Sequence, residues 1–243
     1  MYNFCIQFDK NYLTRGLALF YSLKKFLNNN FVFWILCFDD ISYQILLKLD
    51  EPEIKLIKLD EFENEDLKRV KKQRTFVEYA WTCSSNLMLF LLEKKNIDSI
   101  IYLDSDLYFF NSPENILNEI EKESLAIVGH NYSKERKYLE KIAGKFNVSF
   151  VYAKNNLEGR QAIKWWAEKV IEWCYDRYEN DKFGDQKYLD KFPELFPYVY
   201  IIKNKGSNVA PWNINSYEIS LKNGKVYVDD QPLIFYHFHR FYL

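Results

Sequence analysis

Long hydrophobic runs are missing from this 243-residue sequence. None approaches the ~18 consecutive apolar residues that a bilayer span demands, which argues against a transmembrane helix. The N-terminal MYNFCIQFDKNYLTRG has neither the basic start nor the small-residue cleavage site of a secretory signal. A chain mature from Met1 and cytoplasmic is therefore expected, with at most peripheral attachment at the inner membrane face. Cysteine is scarce: Cys5, Cys37, Cys83 and Cys174 are far apart, form no C-x-x-C pair and mostly lie inside apolar runs, the pattern of reduced core thiols. Neither sign of charge dominates. The 33 basic and 34 acidic side chains are mixed along the chain, leaving a net charge of -1 and no basic stripe for nucleic acid. No repeat, low-complexity tract or linker-like break divides the sequence, so residues 1–243 read as one domain, with apolar content (48%) sufficient for a full core. The sequons at Asn131 and Asn147 would matter only in a secreted protein.

Aromatic residues, by contrast, are plentiful: 19 Tyr and 20 Phe, with pairs such as Phe109-Phe110 and Trp165-Trp166. Most fit a thick core, and a subset at the surface would suit the faces of sugar rings. Short apolar runs alternate with amphipathic stretches, as in proteins built from βαβ units. Segments 2–8, 31–38 and 53–59 read as the first three strands, with helices over 13–27 and 42–49 between them, together a nucleotide-binding type of half-sheet. The polar stretch 60–74 is a loop or surface helix, and 77–95 a long helix. Farther on, 124–129 and 147–153 are strand candidates. Residues 158–178 read as a long helix whose apolar face carries Trp166, Val170, Trp173 and Cys174. The tail holds the apolar run 196–203, a hairpin around Asn223-Gly224, and a last strand over 232–239.

Between these stands SIIYLDSDLYFFNSP, residues 99–113. Ile100 to Leu103 read as a buried strand and Ser112-Pro113 as the opening of a helix, because serine caps well and proline suits the first helical position. Asp104 and Asp106 then fall on a strand-to-helix loop at the carboxyl end of a strand, where open α/β sheets bind ligands. Two carboxylates at the mouth of a low-dielectric sheet repel each other by roughly a kcal/mol or more unless a proton or cation is shared. Mg²⁺ and Mn²⁺ take oxygen ligands and commonly bind through one or two carboxylates plus substrate phosphates.

Two enzyme classes place Asp-x-Asp after an apolar strand: metal-dependent nucleotide-sugar glycosyltransferases, and phosphatases of the haloacid-dehalogenase type, in which the first aspartate is a nucleophile. The phosphatases expect Thr or Val where Tyr108 stands and the motif near the N-terminus. Asp185 and Asp190 of FGDQKYLD are also spaced wrongly for their later acidic pair. A nucleotidylyltransferase is disfavoured because no glycine-rich phosphate loop follows the first strand. A protein that binds nucleotide or carbohydrate without turnover is a third reading.

In chain order, FDKNYLTRGLALFYSL (8–23), YLDSDLYFF (102–110), FNVSFV (146–151), FGDQKYLD (183–190), APWN (210–213) and IFYHFHRF (234–241) resemble the phrases of GT-A glycosyltransferases, specifically the retaining glycogenin and lipopolysaccharide-galactosyltransferase type. The resemblance implies an α/β fold: one GT-A domain with a mixed, mostly parallel sheet flanked by helices and a small C-terminal hairpin region. It implies a hexosyltransferase that moves a sugar from a nucleoside-diphosphate sugar, here a UDP-sugar, to a hydroxyl of a saccharide, lipid-linked or protein acceptor, as in surface polysaccharide synthesis. Under it, Asp9, Asn11 and Tyr12 hold the uracil and ribose; a carboxylate can accept from a pyrimidine N–H and a tyrosine face can stack on the base.

The same resemblance puts Mn²⁺ or Mg²⁺ on Asp104, Asp106 and His237, with Ser105 among the donor-binding residues and Asn147 on the donor sugar. Asp185 and Gln186 lie beneath the anomeric carbon as the catalytic candidates. His239 would share the face of His237 on a strand and is the alternative ligand. Ser149 stands where the family has Gly, and the Lys-Pro-Trp that follows the histidine in relatives is missing, so a diphosphate-binding lysine is expected elsewhere or not at all. The metal would offset charge building on the leaving oxygen. Retention follows from same-face attack or from a covalent intermediate on Asp185; were Asp185 a general base across the ring, the product would be inverted.

Overall fold

Apolar side chains set on alternate positions of the first strand face two different layers, and the rest of the fold supplies those layers. The computed structural model describes residues 1–95 and 97–241. In it, β1 (Tyr2–Phe8), α1 (Leu13–Leu27), β2 (Phe31–Cys37), α2 (Asp40–Leu49) and β3 (Ile54–Lys58) form a parallel half-sheet with its crossover helices. Phe4, Ile6 and Phe8 pack with α1 residues such as Leu19 and Leu23, while Cys5 joins the opposite cluster. The polar stretch after β3 folds as two short helices, α3 (Leu59–Phe62) and α4 (Glu65–Lys71). Next comes α5 (Phe76–Lys94), started by a capping box in which Thr75 and Glu78 each satisfy the other's backbone N–H.

The central strand β4 (Ser99–Leu103) lies parallel to β1. After Asp106 the chain does not pass straight into a helix. It adds β5 (Leu107–Phe109) before α6 (Glu114–Ile120), where the Ser112 hydroxyl accepts from the Glu114 N–H at 3.3 Å. The chain continues through β6 (Leu125–Gly129), α7 (Leu139–Ala143), β7 (Phe146–Lys154), α8 (Leu157–Glu172), α9 (Phe192–Leu195) and β8 (Val199–Ile201). The sheet order is β3-β2-β1-β4-β7-β6-β8, and β7 runs against both its neighbours. The sheet is therefore mixed and mostly parallel, as expected. The carboxyl ends of β1, β4 and β6 and the amino end of β7 share one edge, which brings the residues flanking those ends together. α5 and α8 cover one face; α1 and α6 cover the other.

β9 (Ile219–Lys222), β10 (Lys225–Val228) and β11 (Gln231–Pro232) form the small C-terminal antiparallel sheet, with the turn at Asn223 and Gly224 in left-handed backbone (φ 51° and 73°). β12 (Phe235–His237) pairs instead with β5, matching His237 to Leu107. The single last strand expected over 232–239 is thus two pieces in two sheets. Pro232 has no N–H for a continuing ladder, and the Gly206 carbonyl takes the N–H groups of Ile234 and Phe235 (2.8 and 3.2 Å), bending the chain between them.

The helix expected over 158–178 likewise stops at Glu172. Tertiary partners take its last carbonyls: the Arg74 guanidinium donates to Ile171 O, and the Tyr188 hydroxyl to the carbonyl of the extended Trp173, both at 2.8 Å. Trp173 and Cys174 are buried, but beyond the helix. All four cysteines are free and buried, and among the described residues no helix is long and apolar enough to cross a membrane.

Candidate active site

The carboxyl edge of the sheet collects most of the polar side chains singled out from the sequence. The turn after β4 carries Asp104, Ser105 and Asp106, all half-buried, and is tied to β1 by the Ser105 hydroxyl, which donates to the Gln7 carbonyl at 2.8 Å. The β5–β12 ribbon places His237 opposite this turn. His237 Nε2 lies 3.0 Å from Asp106 Oδ1 and 3.8 Å from Asp104 Oδ2. His239 sits one turn beyond β12 and is exposed, so the two imidazoles do not share a strand face as expected; they nevertheless meet, with ring centroids 5.8 Å apart. One ligand atom each from Asp106, His237 and His239 fall within 4.8 Å of one another. Trp212 packs edge-on against both rings (5.0 and 5.5 Å), which fixes their planes.

Burial and crowding shift these groups in opposite directions. Burial, reinforced by Asp106, raises Asp104 to about 6, with His237 working the other way. For Asp106 burial is the largest single influence and pushes upward, but the charge and hydrogen bond of His237, with His239, together hold the carboxyl below its ordinary value. His237 is raised because the two carboxylates outweigh its burial; His239 is lowered by burial and by His237. Carboxylate oxygens and imidazole nitrogens converging at a few ångströms make a donor set that suits Mn²⁺ or a similar divalent cation.

Asp185 and Gln186 begin a 3-10 turn over Gln186–Lys191 that lies against β7 and α8. Asp185 is 5% exposed and makes no side-chain cap. Its backbone carbonyl accepts from Trp166 Nε1 at 2.8 Å. Burial first, and the charge of Asp104 second, push its carboxyl up to about 8, against a hydrogen bond from Ser84. Beneath these acids lies a buried polar layer in which Gln7 Nε2 donates to Ala80 O (2.6 Å), Ser84 Oγ (3.2 Å) and Tyr102 Oη (3.2 Å) as alternatives. Asn147, at the start of β7, reaches Gln186 Oε1 with its Nδ2 at 3.2 Å. Ser149 does not face the cleft. It is fully buried and its hydroxyl donates to Asn208 Oδ1 at 2.9 Å.

At the end of β1, Asp9 accepts from both the backbone N–H (3.0 Å) and the side-chain amide (2.7 Å) of Asn11, an Asx turn that presents Tyr12 at the start of α1 with 44% of its surface exposed. Arg15 stacks over the Tyr12 ring at 4.5 Å and donates to the Phe241 carbonyl at 2.9 Å. The segment following the imidazoles is thereby strapped to the start of α1. A groove of about 530 Å³ borders His239, with Phe110, Tyr236, Phe238 and Phe241 among its walls.

The sequence is 32% identical to the uncharacterized protein YfnD of Bacillus subtilis (strain 168) over 245 residues, spanning all of this chain and 78% of that one. It is 33% identical to YfnF of the same organism over 243 residues, with 97% and 80% covered. The chain belongs to the family of YfnD and YfnF. No protein-family model matches it. Among solved structures, this member of the YfnD and YfnF family superposes on the galactosyltransferase LgtC, crystallised with donor and acceptor sugar analogs, with a TM-score of 0.63 and 14% identity, covering 97% of this chain and 86% of that one. Mouse xyloside xylosyltransferase 1 matches with a TM-score of 0.57 at 13% identity over 98% of both chains. The fold is the GT-A fold.

Sequence reasoning missed the second layer of the site: Gln7, Ser84, Tyr102, His130 and Trp212. Trp212 lies inside APWN and Tyr102 opens YLDSDLYFF, but nothing in either phrase marks them. The others carry no local signal, because their roles arise from packing across the sheet. Asn213, which ends that phrase, is fully buried and braces the loop by donating to the carbonyls of His130 and Asn208.

Proposed function

We propose that this protein is a metal-dependent glycosyltransferase that takes a sugar from a nucleoside-diphosphate sugar, with UDP as the leaving nucleotide, and passes it to a hydroxyl acceptor with retention of configuration. The observation that carries the reading is the convergence of Asp104, Asp106, His237 and His239 at the carboxyl edge of a GT-A sheet, beside a buried carboxylate and a half-exposed glutamine. Mn²⁺ or Mg²⁺ would be held by the Asp106 carboxylate and the two imidazoles, with Asp104 as the fourth group, and when bound would supply the positive charge that stabilises a departing diphosphate.

The protein's own side chains do the rest. Tyr12, exposed at the start of α1, offers a face to a uracil ring, and Asp9 with Asn11 sets the turn that presents it. Ser105 holds the metal turn onto β1. Gln186 presents its amide to the transferred sugar, and the buried Asn147 holds that amide from behind. Asp185, kept largely protonated near neutral pH by burial, is a neutral wall near the reaction centre rather than an ionised nucleophile in the resting protein. Retention then proceeds by attack on the face from which the diphosphate leaves, its oxygen receiving the acceptor's proton. The aromatic groove beside His239 suits the apolar face of an acceptor sugar, and surface polysaccharide is the acceptor class we favour.

The test is a panel of UDP- and GDP-sugars with Mn²⁺, scored by nucleotide release, together with thermal shift by UDP in the presence and absence of Mn²⁺. Release from one UDP-sugar and a UDP shift that needs the metal are expected. Absence of both removes the reading.

A further inference from the structure

His130 is the one histidine of the three that no part of the reading above uses, yet it is 3% exposed and packed against aromatic rings. It follows the carboxyl end of β6. Its ring stacks on Tyr132 (4.6 Å, 12°) and meets Trp212 edge-on at 5.3 Å, while its carbonyl accepts from Trp212 Nε1 and Asn213 Nδ2 at 2.9 and 2.8 Å. One of its ring nitrogens, Nε2, lies 3.1 Å from Asn147 Nδ2.

The direction of the Asn147 carboxamide is settled by the backbone. The buried Ser149 N–H needs an acceptor and finds Asn147 Oδ1 at 3.2 Å, so the amide oxygen takes that side and the nitrogen the other. That nitrogen has only hydrogens to give, and it faces two atoms: His130 Nε2 and Gln186 Oε1. Both must therefore accept. His130 carries its proton on Nδ1, and Gln186 turns its oxygen to Asn147, which leaves the amide N–H₂ of this half-exposed side chain directed away from Asn147.

We propose that His130 is a positioning residue that fixes, through the Asn147 amide, which end of the Gln186 amide faces the transferred sugar. The proposal rests on the glycosyltransferase reading of the site. An imidazole with a proton on Nε2 would set two donors against each other, and Asn147 could escape only by abandoning the Ser149 N–H. With His130 as acceptor, the site offers the sugar a hydrogen-bond donor, matched to a hydroxyl or to the leaving oxygen as it gains negative charge. With Gln186 reversed it would offer an acceptor that such oxygens repel. Burial keeps His130 neutral, consistent with the acceptor role.

Two measurements test this. In the apo protein at pH 7, ¹⁵N NMR of the imidazoles should find the His130 proton on Nδ1, whether or not any nucleotide sugar is turned over, so this readout stands apart from the activity reading. In turnover with whichever UDP-sugar the donor panel selects, His130→Phe keeps the stacking ring but removes the acceptor, and should lower kcat by ~10-fold or more with the donor KM within ~2-fold. His130→Gln places an amide oxygen near the position of Nε2 and should restore most of the lost turnover. A proton on Nε2, or equal losses in the two variants, overturns the proposal.

Discussion

Replacing Asp185 by Asn tests the electrostatics of the site without touching the metal cluster. The side chain is 5% exposed, and its carboxyl is pushed up to about 8 from an ordinary 3.8, by burial first and Asp104 second. Between those two values the folded protein holds a proton that the unfolded chain releases. Stability is therefore fully present below the ordinary pKa and is lost as pH rises toward and through about 8. At ~1.36 kcal/mol per unit the full shift corresponds to roughly 5–6 kcal/mol, a ceiling that water penetration and relaxation reduce to about 2–4 kcal/mol. A 243-residue chain with ~2.1 cal/mol/K of unfolding entropy per residue loses ~0.5 kcal/mol for each degree, so the effect is about 4–8 °C in Tm. Asn is nearly isosteric, keeps an oxygen for the Ser84 hydroxyl, and leaves the backbone carbonyl bonded to Trp166. Thermal unfolding in EDTA should show the variant's advantage small at pH 5 and growing toward that margin by pH 9. Parallel Tm profiles between pH 5 and 9 would refute the buried, protonated carboxyl.

Asp104→Ala and Asp106→Ala should each reduce nucleotide release by ~10²-fold or more, and full activity in either variant would remove that residue from the metal set. The apo Tm should be unchanged or slightly raised in Asp104→Ala, which removes a crowded carboxylate, and lowered in Asp106→Ala, which strips buried His237 of its partner at 3.0 Å. UDP binding should be strengthened by Mn²⁺, measured by calorimetry, with the coupling lost more completely in His237→Ala than in His239→Ala, because His237 is buried against both carboxylates and His239 is exposed; the reverse order would make His239 the principal ligand. Gly206→Ala would place a methyl 2.0 Å from the Pro232 carbonyl oxygen, displacing the segment that feeds β12. We expect a loss of about 2 kcal/mol or more by denaturant unfolding, together with weakened Mn²⁺ binding, whereas a variant as stable as the parent would mean that the two backbones separate freely.

The parallel half-sheet was legible because each of its strands is a continuous apolar run bounded by polar turns. The Asp-x-Asp turn was legible because two acids stand directly after such a run. Asp9, Asn11, Tyr12, Asn147, Asp185 and Gln186 were reached through the order of their phrases, and the structure sets Asn147 against Gln186. The two boundaries that were misplaced have tertiary causes. Helix α8 ends where Arg74 and Tyr188 claim its carbonyls, and the last strand breaks where Gly206 approaches so closely that no side chain would fit. Local periodicity carries neither fact. His130 was passed over for the same reason: an isolated histidine among apolar neighbours reveals a function only once Asn147 and Gln186 are seen beside it.

The pairing of β5 with β12 also sets an order of events. Residues 107–109 wait for residues 235–237, so the carboxylates are synthesised long before the imidazoles that complete their cluster. Closing so long a loop is entropically costly, and the cost is offset because Phe109 and Phe235 enter the same core as β1 and α1, with Phe235 stacked on Phe150. The half of the core that borders α1 is therefore complete only once the C-terminal strand has docked. A chain shortened before Phe235 should lose a core ring together with His237 and His239, so the docking of one strand both completes the core and assembles the carboxylate–imidazole cluster.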